Sequence, residues 1–375
     1  MACASTALII GGGIAGLSSA IALTRIGIQC EVIEKGNPRE GASIAFSGRA
    51  ADALVELGIY DLVCNAGTPF PHNSTVVTMR DSAGRQLSPG PGRPTWPDAK
   101  EAVGVYRPTL IRIMTKVAQD LGVKLQYDTT FTGIEHSASG VRVQLSTGEE
   151  HMYDFAVGAD GINSATRQEL FPSAPGPTYS GQLSIRWMAP GPRVQPESWY
   201  HSSAGRFGFY YLPEDYVYVP AVIDYPELGR LTDDDVRQLF ANLLDSMTAP
   251  AVVELRRRLE PTSDLIARPF RWILLPSAWY RDRTLLIGDA AHATTAHLGM
   301  GGGMAMEDSV VLAQCIRDAK TIQEAFDTFM GRRYERVRTV VETSVKLSEM
   351  EQSNASPAER KLVMEKALAT LGNPY

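Results

Sequence analysis

Three glycines set between an apolar, strand-like run and a helix-like run constrain this chain more than any other feature. Residues 7–10 read as a buried strand, 15–25 as a helix rich in Ala, Leu and Ile, and 29–34 as a second strand, together a β-α-β unit. Gly11, Gly13 and Gly16 stand at G-x-G-x-x-G spacing in the turn, and Glu34 closes the second strand 18 residues after Gly16. Gly11 permits a tight turn, Gly13 lets the backbone approach a pyrophosphate, and Gly16 lets the helix pack close to the strand. Anionic phosphates then meet the unpaired N–H groups of the first helical turn, around Ile14 and Ala15. Glu34, followed by Lys35, is placed to accept hydrogen bonds from a ribose, and an acid there disfavours a 2′-phosphate. This motif alone leaves FAD and NAD both open.

Composition narrows the partners. The 375 residues allow two or three domains, and 44% hydrophobic with 21% charged residues is the make-up of an ordinary globular protein. With 36 basic and 42 acidic residues the formal charge is −6, so nucleic acid and anionic membranes are poor partners. The four cysteines, Cys3, Cys30, Cys64 and Cys315, form no C-x-x-C pair, which argues against a metal site and a dithiol centre and suits a reducing cytoplasm. Neither a signal-type leader nor a membrane-length apolar run is apparent.

The remaining pattern predicts a helix over 49–57 ending at Gly58, a surface loop over 88–97, and a helix over 109–121. Residues 124–157 suggest an antiparallel meander capping the sheet, and 179–224 a separate strand-rich domain with Phe207, Phe209 and Tyr211 on one face and Tyr210 on the other. Helical stretches follow over 232–259, 304–317 and 321–351, with a strand at 284–287. The expected class is α/β, a Rossmann-like dinucleotide-binding domain (1–70, 101–178 and 271–320) with an inserted strand-rich substrate domain (71–100 and 179–270) and a C-terminal helical region (321–375).

Two later motifs bear on the cofactor. Residues 157–167 read VGADGINSATR and 284–308 read TLLIGDAAHATTAHLGMGGGMAMED, each starting at the end of an apolar run. A strand ending in Gly288-Asp289 puts a carboxylate at the carboxyl edge of a sheet, where a polyol chain would offer it hydroxyl partners. The glycines of 299–303 let backbone approach a flat ring, and the helix that follows would stabilise negative charge on it.

With its G-x-G-x-x-G and Glu34, its Asp160-Gly161 pair and its GDAAH run at 288–292, in this order and separation, the chain resembles the FAD-dependent aromatic hydroxylases. These are single-component monooxygenases typified by para-hydroxybenzoate, salicylate and kynurenine hydroxylases. The resemblance implies that Asp289 binds the ribityl chain, that Asp160 has a structural and cofactor-related role, and that Gly299, Gly301 and Gly302 approach the flavin. It further implies that Arg107 and Arg49 reach phosphate or ribityl oxygens. The implied activity uses NADH or NADPH as transient reductant and molecular oxygen to hydroxylate a small aromatic or N-heteroaromatic substrate through a flavin hydroperoxide, in a monomer or homodimer. An epoxidase or oxidative decarboxylase on the same fold, or a flavin-binding regulator without turnover, are the alternatives.

Arg186 is the candidate partner of a substrate carboxylate, Tyr210 and Tyr211 of a phenol, and His297 the candidate base or substrate ligand. His292 reads as supporting its own motif, while His72 and His201 have no motif behind them. Ala296, Met300 and Gly303 depart from the family's usual proline, glutamine and asparagine, which points to a more mobile flavin loop.

Overall fold

The computed structural model describes residues 3–36, 41–70, 78–89, 96, 98–192, 194, 198–212, 216–276 and 278–375. Its centre is a six-stranded sheet in the spatial order Tyr280–Arg281, Thr284–Leu286, Phe155–Gly158, Thr6–Ile10, Gln29–Ile33 and Lys124–Gln126. All neighbours are parallel except the short Tyr280–Arg281 edge. Strands buried on both faces need continuous apolar runs, and residues 7–10 and 155–158 are buried throughout.

The helices, in chain order, are α1 (Ile14–Arg25), α2 (Arg49–Glu56), α3 (Tyr60–Ala66), α4 (Arg107–Asp120), α5 (Ala165–Leu170), α6 (Asp233–Asp245), α7 (Pro250–Arg256), α8 (Asp289–His292), α9 (Gly301–Asp318), α10 (Ile322–Gln352) and α11 (Pro357–Leu371). Small residues bring α1 and α9 together. Ser309 Oγ lies 2.9 Å from Ser19 Oγ and also donates to the carbonyls of Ala305 and Ala15.

A second, eight-stranded sheet is built on the pairing of Thr178–Pro190 with Tyr216–Asp224 and Leu265–Trp272. Residues 78–80 and 86–89 join its far edge. One face of this sheet packs on α6 and α7 through Ile185, Trp187, Phe240 and Leu243, with Tyr200, Phe207 and Phe209 in mutual ring contact. The other face looks toward the central sheet. A three-stranded sheet, Ser43–Phe46, Ala102–Tyr106 and Thr68–Phe70, lies beside it. The 31-residue α10 spans both parts. Its Arg333 is buried in the first core, while its Ser348 donates to Gln182 Oε1 of the second sheet at 2.7 Å. The architecture is thus a Rossmann-like α/β domain carrying an inserted strand-rich domain and C-terminal helices.

Several elements differ from the sequence reading. Residues 124–126 and 155–158 do not belong to the antiparallel meander but to the parallel sheet, where they pair with Gln29–Ile33 and Thr6–Ile10; the meander is confined to Phe131–His136, Val141–Leu145 and Glu150–Tyr153. The long helix expected over 232–259 is broken after Asp245, and α7 restarts at Pro250, which suits a first helical position. Ser88 and Pro89 extend a strand into the expected loop, whose residues 90–95 and 97 lie outside the described residues. The α9 helix begins at Gly301, three residues early. The short α3 was not anticipated, and α11 falls inside the expected C-terminal helical region (321–375) as a helix of its own whose bounds were not foreseen. α11 is set by a capping box in which Ser356 and Glu359 satisfy each other's backbone N–H, with Pro357 at the first position.

A buried ionic cluster joins α9 to α10. Arg333 donates to Asp308 (2.8 Å) and Glu307 (2.7 Å), and Arg336 donates to Glu307 (2.7 Å). Arg333, Glu307 and Asp308 are fully inaccessible to solvent. Removing one partner leaves a charge in a dry interior. Arg333→Met is therefore expected to cost about 3–5 kcal/mol, against about 1 kcal/mol or less for Arg85→Met in the exposed Arg85–Asp81 pair. Urea midpoints of the two variants test this, and equal losses would contradict it.

Candidate active site

A cavity of about 1450 Å³ opens between the central sheet, the eight-stranded sheet and α11. Typical small-molecule pockets are about 300–1,000 Å³, so this one has room for more than a single compact ligand.

Its floor is the glycine fingerprint. Gly11 adopts φ +109°, and a Cβ there would lie 2.5 Å from the Ala159 carbonyl oxygen; a Cβ on Gly16 would meet the Gly11 carbonyl at 1.8 Å. These two glycines let strand, turn and helix pack. Gly13 is different, since a Cβ would meet no protein atom within 4 Å, and Gly13, Ile14 and Ala15 line the cavity. No side chain caps α1, so the N–H groups of its first turn face the cavity without a protein partner. A second uncapped helix start, that of α9, brings Gly301 and Gly302 to the same cavity beside Gly299.

Asp289 follows Gly288, whose N–H donates to Asp308 at 3.0 Å. Its carboxylate faces the cavity and makes no hydrogen bond or ion pair among the described residues. Desolvation raises its pKa above the ordinary carboxylate range, opposed by His292 and Arg107. Arg107 starts α4 at the cavity wall, where burial lowers its pKa while Asp289 raises it. A helix start facing a Cβ-free space, with a carboxylate and a guanidinium that make no hydrogen bond among the described residues, supplies the donor and acceptor types that phosphates and a polyol chain require. The residues present therefore fit FAD.

Other sequence candidates lie off the cavity wall. Glu34 accepts from the N–H of Gly12 (2.6 Å) and Gly36 (2.9 Å), bracing the turn, and Lys35 is exposed. Asp160 accepts from Ser164 Oγ (2.5 Å) and from Thr166 N–H and Oγ1, which orders the start of α5, while its neighbour Gly161 does reach the cavity. Arg49 does not reach the cavity either. Its guanidinium is bound to Asp52, Asp98 and the Gly372 carbonyl, so it ties α2 to the C-terminal segment. Gly303 accounts for itself by packing, because a Cβ would meet that of Ala50 on α2 at 2.5 Å. His292 lies within 2.6 Å of Asp308 and against the Trp279 ring, as a supporting role for its motif requires.

On the opposite wall Arg186 projects into the cavity from strand Thr178–Pro190 and makes no hydrogen bond or ion pair among the described residues. Tyr210 stacks with Tyr218, whose phenol burial pushes up to about 12, and accepts from Trp199 Nε1 at 2.5 Å. Tyr211 is described only through its backbone pairing with Val217, and His72 lies outside the described residues. His297 lines the cavity, with Nδ1 3.0 Å from Thr295 Oγ1 and its ring edge-on to Phe270. Burial, then Arg206, lowers its pKa to about 3, and His201 is lowered to about 4 by the same causes. An imidazole so hard to protonate is a poor general base near neutrality and a better neutral hydrogen-bonding group. His201, Arg206, Glu351 and the face of α11 are wall residues that the sequence reading missed.

A family model described as an FAD binding domain matches residues 4–344. The chain belongs to this family, that of the FAD-dependent aromatic hydroxylases. The aurachin C monooxygenase/isomerase of Stigmatella aurantiaca is 30% identical over 359 residues, covering 92% of this chain and 90% of the relative. An FAD-dependent urate hydroxylase of Klebsiella pneumoniae is 30% identical over 372 residues, covering 89% and 87%. The crystal structure of Klebsiella pneumoniae HpxO complexed with FAD and uric acid superposes with a TM-score of 0.83 at 24% identity, covering 98% of this chain and 96% of that one, and shares the fold. The chain is an FAD-dependent monooxygenase. No helix among the described residues is long and apolar enough to cross a membrane.

Neutral burial of two imidazoles couples folding to pH. Folded, they stay unprotonated down to about 4 and about 3, whereas unfolded they take a proton near 6.5. The unfolded chain thus binds more protons below pH 6.5, and their contribution is present in full above that value and lost as pH falls toward 4. Urea midpoints should decline between pH 7.5 and 5.5, and His201→Gln should flatten the decline; an unchanged slope in the variant would contradict this origin.

Proposed function

We propose that this enzyme hydroxylates a planar aromatic or N-heteroaromatic compound bearing an ionisable hydroxyl, with NADH or NADPH as electron donor. The observation that carries the reading is the pairing, across one cavity, of a built FAD cradle with an unpartnered Arg186. Urate, in the name of one relative, is a nitrogen heterocycle of this general kind.

In this reading the first turn of α1 would hold the pyrophosphate, Asp289 the ribityl hydroxyls and Arg107 a neighbouring phosphate or ribityl oxygen. Gly299, Gly301 and Gly302 would face the flavin, whose negative charge the start of α9 would favour. Bound FAD supplies the redox chemistry, passing two electrons from NAD(P)H to O2 so that one oxygen atom enters the substrate and the other leaves as water.

The rest falls to the protein. Arg186 attracts the substrate oxygen as an anion, which makes the ring a better nucleophile, and Tyr210 and Tyr218 bound the plane in which it lies. His297, neutral and steadied by Thr295, offers a hydrogen bond rather than taking up a proton. Phe270 and Leu347 exclude water from the same wall.

The test is a screen of hydroxybenzoates, aminobenzoates and hydroxypyridines for stimulated NAD(P)H oxidation, with mass analysis for one added oxygen. Arg186→Met should raise KM for an accepted phenol about tenfold or more, and Asp289→Asn should weaken FAD retention through gel filtration. Stimulated oxidation with no oxygen inserted into any compound would overturn the hydroxylase reading.

A further inference from the structure

Among the described residues, three buried side-chain nitrogens without a hydrogen-bond partner sit on the wall of one cavity: Nε2 of His201, Nε2 of His297 and Nε of Arg360. They come from three separate elements, the strand Ser198–Ser202, the loop before α9, and α11. The His297 side chain is only 3% exposed, and its Nε2 lies 3.7 Å from Glu351 Oε2, beyond hydrogen-bond reach. Buried polar groups without partners are uncommon in folded proteins, and several lining one cavity mark a place where a ligand completes them.

The charges there identify the ligand's sign. Arg206 is paired with Glu351 at 2.7 Å, and Lys361 with Glu365 at 3.6 Å. Arg360 makes no ion pair among the described residues, but it and Arg206 both act on Glu351, so two guanidinium cations share one carboxylate and the group carries a net positive charge. The charges acting on the two imidazoles are Arg206, Glu351 and Arg360, and neither Asp289 nor Arg107 is among them, so this group is electrostatically separate from the cofactor cradle. Arg360 can only donate hydrogen bonds, and each neutral imidazole has one N–H to give.

We propose that Arg360, His201 and His297 form a subsite for a carboxylate carried by the substrate, apart from the hydroxyl oxygen that Arg186 takes. Substrates of this enzyme are then aromatic or heteroaromatic hydroxy acids, with α11 reading the acid. This inference rests on the proposed hydroxylase reading but is tested by binding, which needs no turnover.

The experiment is calorimetric titration of the FAD-loaded enzyme with hydroxybenzoates and with hydroxypyridine and hydroxyquinoline carboxylates, each beside its primary carboxamide. The wild type should bind at least one acid tenfold or more tighter than its amide. Arg360→Met should abolish that preference, weakening the acid about 10- to 100-fold with the amide little changed, and Arg360→Lys should recover part of it. No preference for acids in the wild type, or equal loss of acid and amide binding in Arg360→Met, would overturn the subsite. Hydroxylation of neutral phenols alone would sink it while leaving the monooxygenase reading intact; acid binding without oxygen insertion would do the reverse.

Discussion

Everything at the cofactor cradle depends on where one carboxylate, that of Asp308, is held. It accepts the N–H of Gly288, lies against His292 and binds Arg333, so a single buried side chain on α9 pins the corner where the strand Thr284–Leu286 ends and Asp289 begins. Its pKa, held down to about 2 by His292 and Arg333 against the cost of burial, keeps it charged and able to accept all three contacts. Asp289 can stay unpartnered at the cavity wall because its neighbours do the structural bonding. The same division of labour recurs at Asp160, which is spent on α5 while Arg167 bridges from that helix to the carbonyls of Ile162 and Ala290. Motif residues adjacent in sequence thus split into those that build the corner and those that face the ligand.

The parts legible in the sequence are those where backbone geometry admits few residue types. Gly11 and Gly16 had to be glycine because neighbouring carbonyls occupy the Cβ positions, whereas the Cβ position of Gly13 opens onto the cavity. The strand-ending aspartates were readable for the same reason, since a sheet's carboxyl edge has a known use. Side chains whose meaning depends on distant partners were not. Arg49 looked like a phosphate ligand, yet its partners Asp98 and Gly372 lie far away in the chain and nothing local announces them. A C-terminal helical region was expected, but not that its last helix walls the cavity, because the cavity-facing side mixes Arg360 and Lys361 with Met364 and Leu368 and gives no apolar stripe to detect.

A usable signal was nevertheless present. Glu307 and Asp308 interrupt an apolar helical run, and Arg333 and Arg336 stand one helical turn apart on the next helix. Opposite charges intruding on the buried faces of successive helices imply that they neutralise one another, as they do. The departures at Met300 and Gly303 likewise have local reasons. Met300 is buried at the start of α9, and Gly303 lets α2 come close.

The order of strands in the central sheet bears on how the chain reaches this state. Thr6–Ile10 hydrogen-bonds to Phe155–Gly158, about 150 residues downstream, and that strand in turn to Thr284–Leu286, well over 100 residues further on. On the ribosome one edge of the first strand can pair early with Gln29–Ile33, but its other edge waits for residues 155–158, and these in turn wait for 284–286. Until then the growing sheet keeps one apolar edge unpaired and open to wrong association. Yield of active enzyme should accordingly depend on chaperone supply and on the pace of synthesis more than on the thermodynamic stability of the finished fold.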